Sequence, residues 1–230
     1  MPATLSAVDL HTSTFDMPVS WPSGVTKLDI TCGSAPVTFP PRLTHFSSDS
    51  GYIGQAAFPD TILYMELNDM DTFSCGHDDF GNEEFPFHFP PVLPMQLREL
   101  RIKQMGLGEI INIPALPPKL ELLHIDCRVT PTWLVSPTHL PKDLRVCILE
   151  MPDLGFILEE LPSKLKELSF RADCGFDQPL PALPQTLRKL RLGRSFTHPL
   201  TLPAGIEEVV LPLALAHRVK FPRGVKVEWV

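Results

Sequence analysis

The 230-residue chain is 43% hydrophobic and 20% charged, which excludes a disordered tail or an acidic solvating segment. Proline is the outlier at 26 residues, about twice the usual ~5% share, while glycine adds only 13, so the two together stay below the low-complexity range of about 25–30%. The net charge of −7 excludes nucleic-acid binding by bulk charge, though not a local basic patch.

The elements recur in chain order as one pattern: apolar, Pro, two residues, apolar, two residues, apolar, one residue, apolar. It occurs as MPATLSAVDL at Met1, WPSGVTKLDI at Trp21, FPPRLTHFSS at Phe39 and FPDTILYMEL at Phe58. It continues as LPMQLRELRI at Leu93, LPPKLELLHI at Leu116, LPKDLRVCIL at Leu140 and LPSKLKELSF at Leu161. LPQTLRKLRL at Leu183, LPAGIEEVVL at Leu202 and a degenerate FPRGVKVEWV at Phe221 complete it. Of 55 specified positions 53 match, with Ser48 and Glu228 as exceptions. The mean period is 22, and the one long interval, 35 residues from Pro59 to Pro94, holds an insertion at 71–89.

Two apolar residues flanking one variable residue suit a strand, where the pair points inward and the middle residue outward. Proline has no N–H and cannot sit in a central ladder, so it is expected in the extended segment that enters each strand. One such unit cannot bury its apolar face alone, and neighbouring units must supply the rest of the core. Helix signals between strands are few, and the returns at 131–141 and 178–184 are short and proline-rich. Asparagine occurs only at Asn68, Asn82 and Asn112, too seldom for a buried asparagine ladder.

A period near 22 with L-x-x-L-x-L resembles the leucine-rich repeat. The resemblance implies a mostly β solenoid of the α/β class: a parallel concave sheet of about 11 strands, extended or 3₁₀ convex segments and little helix, with 1–230 as a single domain. CGFDQPLPALPQTLRKLRLG at Cys174 and SFTHPLTLPAGIEEVVL at Ser195 further resemble the FNIP repeat (Phe-Asn-x-Pro-Leu, then Leu-Pro). Phe176, Pro179, Leu180, Phe196, Pro199 and Leu200 keep that pattern, with Asp177 and Thr197 in place of its asparagine. Ile113-Pro-Ala-Leu-Pro117 is similar to the shorter LPxLP repeat of bacterial effector ubiquitin ligases, but FNIP-like repeats are the better match.

The outward residues of successive strands would be Asp9, Asp29, Ser47, Glu66, Arg101, His124, Ile148, Ser169, Arg191, Val210 and Trp229. Residues 1–92 carry 2 basic and 12 acidic side chains and residues 93–230 carry 18 and 15, so the surface is graded in charge. Solubility alone explains polar residues at exposed strand positions, but complementary charge also orients a partner, and open solenoid sheets are docking surfaces. Asp9, Asp29, Glu66, Arg101, His124, Arg171 and Arg191 are therefore the candidate partner-binding residues. Arg98, Arg101, Lys103, Arg145, Lys166, Arg171, Arg188, Lys189 and Arg191 are expected on outward strand positions. Glu99, Glu121, Asp126, Glu150 and Glu167 stand among them and are expected to cancel much of their charge across strands. No aromatics interleave with them, so nucleic acid is not the expected partner.

The insertion holds Cys75, His77, Asp78 and Asp79, but neither a second ligand pair at zinc spacing nor an EF-hand pattern accompanies them, so an acidic loop anchored by Phe85, Phe87 and Phe89 is expected there, with no metal. Cys147 takes a core position, with Cys32 and Cys127 pointing inward past their strands; all three read as small buried hydrophobes. No nucleophile elbow, Walker or dinucleotide fingerprint occurs, so neither enzymatic activity, catalytic residues nor a cofactor is expected.

The longest apolar run, 209–216, is far short of the ~20 residues of a bilayer-spanning helix. No Lys or Arg precedes Lys27, and no apolar signal core is present. The five cysteines (Cys32, Cys75, Cys127, Cys147, Cys174) are an odd number, which reads as an intracellular, cytoplasmic chain with reduced thiols. The functional expectation is a non-enzymatic module binding another protein through its concave face. A structural subunit of a larger assembly and a substrate-recognition component of a ubiquitin ligase are the alternatives, and the oligomeric state stays open.

Overall fold

The computed structural model describes residues 5–11, 21–31, 38–48, 58–68, 92–104, 112–128, 130, 132–133, 140–154 and 157–230. Its strands are β1 (Ala7–His11), β2 (Lys27–Thr31), β3 (His45–Ser48), β4 (Tyr64–Leu67), β5 (Glu99–Gln104), β6 (Asn112–Ile113) and β7 (Leu122–Cys127). They continue as β8 (Thr132–Trp133), β9 (Val146–Glu150), β10 (Glu167–Phe170), β11 (Lys189–Arg191), β12 (Glu208–Leu211) and β13 (Lys226–Trp229). Eleven form one sheet in the order β1-β2-β3-β4-β5-β7-β9-β10-β11-β12-β13, with every pairing parallel. Among the described residues the only helical element is a 3₁₀ turn, Leu213–Leu215. The architecture is a parallel-strand solenoid, mostly β, in which each proline-led block contributes one strand to the main sheet.

The apolar template positions build the core. Leu28, Phe46, Met65, Leu100, Leu123, Cys147, Leu168, Leu190 and Val209 are register partners in series, and all are buried. Ile30, Ser48, Leu67, Ile102, Ile125, Leu149 and Phe170 form a second buried row. Ser48, a template mismatch, keeps its inward place at 3% exposure. Each fully buried Leu, Ile or Phe contributes about 1.5–3 kcal/mol, summed along the rows.

The prolines do more than enter the strand. In nine coils the proline carbonyl accepts a hydrogen bond from the N–H three residues on, as Val25 to Pro22 (3.2 Å), Leu97 to Pro94 (3.1 Å) and Leu187 to Pro184 (3.0 Å). Each proline thus opens a β-turn whose last residue is the first buried apolar position. The next residue's carbonyl then accepts two N–H groups from the following coil. Arg98 O takes Glu121 N (2.7 Å) and Leu122 N (2.9 Å), Lys166 O takes Arg188 N (2.8 Å) and Lys189 N (3.0 Å), and the arrangement recurs at nine interfaces.

The last coil departs from this pattern, and the departure explains the second mismatch. Lys226 N bonds Glu207 O at 2.9 Å, yet Lys226 also registers with Glu208, so one residue stands where the other coils place two. Everything after it shifts by one position. Val227 therefore pairs with Val209, and Glu228 pairs with the outward Val210. The expected outward place of Trp229 is corrected accordingly: Trp229 pairs with Leu211 and rests edge-on against Phe221, with ring centroids 5.9 Å apart. Gly224 supplies the positive φ of 80° at the third position of this coil's turn.

Two packing features were not foreseen. A two-stranded parallel sheet, β6 with β8, lies apart from the main sheet. Aromatic rings stack between coils, Phe39 on Phe58 at 4.7 Å and Phe176 on Phe196 at 6.2 Å, and meet within a coil, Phe39 edge-on to Phe46 at 5.3 Å and Phe176 tilted against Phe170 at 5.2 Å. The 71–89 insertion, with Cys75, His77 and its phenylalanines, lies outside the described residues, as does Cys32.

Candidate partner-binding face

Along each strand the residue between the two inward positions points to the open face. Register joins these residues into one row: Asp9, Asp29, Ser47, Glu66, Arg101, His124, Ile148, Ser169, Arg191, Val210, Glu228. Six of the seven expected binding residues lie on it. Asp9 and Asp29 are neighbours, Glu66, Arg101 and His124 occupy three successive strands, and Arg191 stands alone further along.

The seventh, Arg171, falls just past β10 and is engaged locally. Its Nε and Nη2 donate to the two Asp173 oxygens at 2.5 and 3.0 Å, and Nη1 reaches Cys127 O at 3.4 Å. This guanidinium holds the Asp173 carboxyl below its ordinary range.

Neighbouring charges shape the row. The Tyr64 hydroxyl donates to Glu66, and burial first, then that carboxylate, push the phenol up to about 12. Arg101 Nη2 lies 3.7 Å from Glu99 Oε2, and His124 Nε2 lies 3.7 Å from Glu150 Oε2. A shallow concavity of about 350 Å³ opens over the acidic end, walled by Ala7, Val8, Asp9, Lys27, Leu28, Asp29, His45, Phe46, Ser47 and Tyr64. A second, of about 210 Å³, lies among Glu167, Leu168, Ser169, Lys189, Leu190, Arg191, Glu208, Val210 and Glu228.

The basic residues sort differently from the sequence expectation. Arg101, Lys103, Lys189 and Arg191 are in strands, but Arg98, Arg145, Lys166 and Arg188 each sit one residue before a strand, on the rim of the sheet. They belong to the row whose carbonyls bridge consecutive coils. The carboxylates that meet them are only partly those expected: Glu121 takes both Arg98 (3.2 Å) and Arg145 (3.5 Å), Glu99 takes Arg101, and Glu207 takes Arg188 (3.5 Å). The doubled role of Glu121 was hidden because the sequence spacing does not distinguish rim from ladder.

Among the described residues no three His, Cys, Asp or Glu side chains converge as metal ligands, and no helix is long and apolar enough to cross a membrane. Cys127, Cys147 and Cys174 are buried, and burial pushes the Cys147 thiol up to about 12.

No protein-family model matches the chain, and no curated protein matches it. Among solved structures, YopM from Yersinia enterocolitica WA-314 is similar at 15% identity with a TM-score of 0.48, over 90% of this chain and 46% of that one. CroV588, described as a circular leucine-rich-repeat protein, is similar at 15% identity with a TM-score of 0.45, over 100% of this chain and 47% of that one. The chain thus spans about half the length of each of these two proteins.

Proposed function

We propose that residues 1–230 act as a single leucine-rich-repeat domain that recognises a protein partner through the concave face of its sheet, without chemistry of its own. The observation that carries this reading is the row from Asp9 to Glu228, eleven side chains in register, nine of them at least partly exposed. The row is acidic at one end, with Asp9, Asp29 and Glu66, and cationic at Arg101 and Arg191 further along. Such a gradient fixes the direction in which a partner lies, because a reversed partner meets like charge. The FNIP-like assignment of the last coils is supported by Phe176 stacked on Phe196 and by Asp177 bonded to Thr197, the two residues in the motif's asparagine places.

The test is site-specific photo-crosslinking. A photoreactive residue at Ser47, on the open face, is expected to capture one defined protein. The same probe at exposed Leu213, which lies outside the sheet, is expected to capture none. Capture is expected to fall at least tenfold in an Asp29→Lys, Glu66→Lys double variant. Equal capture from Leu213, or insensitivity to the double variant, overturns the reading.

A further inference from the structure

The rim row contains a break in charge alternation that the fold does not need. In coil order it runs Arg98, Glu121, Arg145, Lys166, Arg188, Glu207, with consecutive members joined by backbone bonds of 2.7 to 2.8 Å. Arg98, Glu121 and Arg145 form an ion-paired trio, and Arg188 pairs with Glu207. Lys166, exposed, stands between Arg145 and Arg188 with no carboxylate beside it in this row. Like charges on adjacent strands destabilise the sheet, and a carboxylate at 166 would have restored the alternation.

Beside this run, between the register positions of Glu99 and Glu167, the open face carries apolar side chains. Leu122 and Val146 are register partners, as are His124 and Ile148, so Leu122, Val146 and Ile148 form a half-exposed patch on two adjacent strands. Val146 directly follows Arg145, so patch and cationic run share a border.

The geometry points to a docking site for an extended acidic peptide segment of the protein partner, with apolar side chains on Leu122, Val146 and Ile148 and carboxylates over Arg145, Lys166 and Arg188. This rests on the concave-face reading above and narrows it to one stretch and one chemistry. With coils about 4.8 Å apart, Arg145 to Arg188 spans roughly 10 Å, the reach of about three extended residues at ~3.3 Å each. Two or three acidic residues beside an apolar one therefore match the surface. A nucleic acid fits worse, since its phosphates continue past the run and over Glu121 and Glu207, and the patch offers aliphatic groups in place of stacking rings.

The experiment is selection of a random 12-residue peptide display library on the folded 230-residue protein. Selected peptides are expected to join two or more Asp or Glu to an apolar residue, and to bind Lys166→Glu at least tenfold more weakly. A glutamate at 166 lies between two cations, so thermal stability is expected to hold or rise while affinity falls, which a merely structural lysine would not produce. Arg145→Glu is the second variant, expected to weaken the same peptides.

Recovery of no peptide, or of peptides without acidic enrichment, overturns the site, as does tighter binding of a 20-residue oligothymidylate than of any peptide. Acidic peptides indifferent to Lys166→Glu and Arg145→Glu but lost on other open-face substitutions, such as Arg101→Glu or Arg191→Glu, also overturn the site and leave the concave-face reading standing. Peptides indifferent to every open-face substitution overturn both.

Discussion

Asp177 and Thr197 stitch two consecutive coils together: one carboxylate oxygen of Asp177 accepts the Thr197 backbone N–H at 2.8 Å and its hydroxyl at 3.0 Å. His198 adds a ring nitrogen 3.5 Å from the same oxygen. The backbone N–H first, then the hydroxyl and the nearby imidazole, hold the Asp177 carboxyl below its ordinary value of 3.8.

A depressed carboxyl stabilises the fold fully above its unfolded value and loses that contribution as pH falls through the folded one. Asp143 beside Lys164, Asp173 beside Arg171 and Glu208 beside Lys226 are depressed in the same sense. The thermal midpoint is therefore expected to hold above about pH 5, since the ordinary value of Glu208 is 4.5, and to drop below it. Asp177→Asn keeps an acceptor for the Thr197 N–H but loses the charge, so its midpoint should lie below the parent's at pH 7 and converge with it in acid, giving a shallower acid limb. A steeper acid limb in the variant would contradict this account.

Gly193 lies where two backbone segments converge. A Cβ there would meet the carbonyl oxygens of Arg171 at 2.8 Å and Cys174 at 2.9 Å. Backbone oxygens cannot swing aside as a side chain does, so Gly193→Ala is expected to cost about 1–3 kcal/mol, read as a lowered denaturation midpoint. An unchanged midpoint would show that the coils separate there without penalty.

Core truncation should depend on position along the solenoid. Leu123, fully buried between Leu100 and Cys147, is expected to lose about 2–5 kcal/mol on substitution by Ala. Val227, half-buried in the sheet's last strand, has a neighbouring strand on one side only and should lose about 1 kcal/mol. Chemical denaturation of both variants checks the ratio, and equal losses would mean that the core is not organised by nearest neighbours.

Cys147 should be chemically silent while the chain is folded. Its thiol is fully buried and pushed up to about 12, so the reactive thiolate is scarce at neutral pH. An aromatic disulfide reagent should label it only at the rate of unfolding. Rapid labelling of Cys147 in the native protein, located by peptide mapping, would refute its buried place.

The inward rows were legible because strand period and repeat period agree: Leu28, Phe46, Met65, Leu100 and Leu123 sit at the same offset from their prolines and meet in register. The same alternation puts Asp9, Asp29, Glu66, Arg101, His124 and Arg191 on one register row. What failed depended on the backbone between turn and strand. Whether Lys226 replaces two residues or one is a hydrogen-bonding matter, and it decided the places of Glu228 and Trp229. Rim and ladder cations were merged for the same reason, since Arg145 and Val146 both face outward next to a shared carbonyl and simple alternation allows only one of them to do so. Arg171 was placed by parity alone, and its capture by Asp173 depends on a turn beyond the repeat.

The doubled acceptor at nine coil boundaries uses main-chain atoms only, so Thr26, Leu63, Arg98 and Lys166 serve it equally well. Natural variation can therefore rewrite that border, residue by residue, without renegotiating how the protein folds. The interior rows and the charge of the lip are thus set by separate residues, and either can change while the other stays.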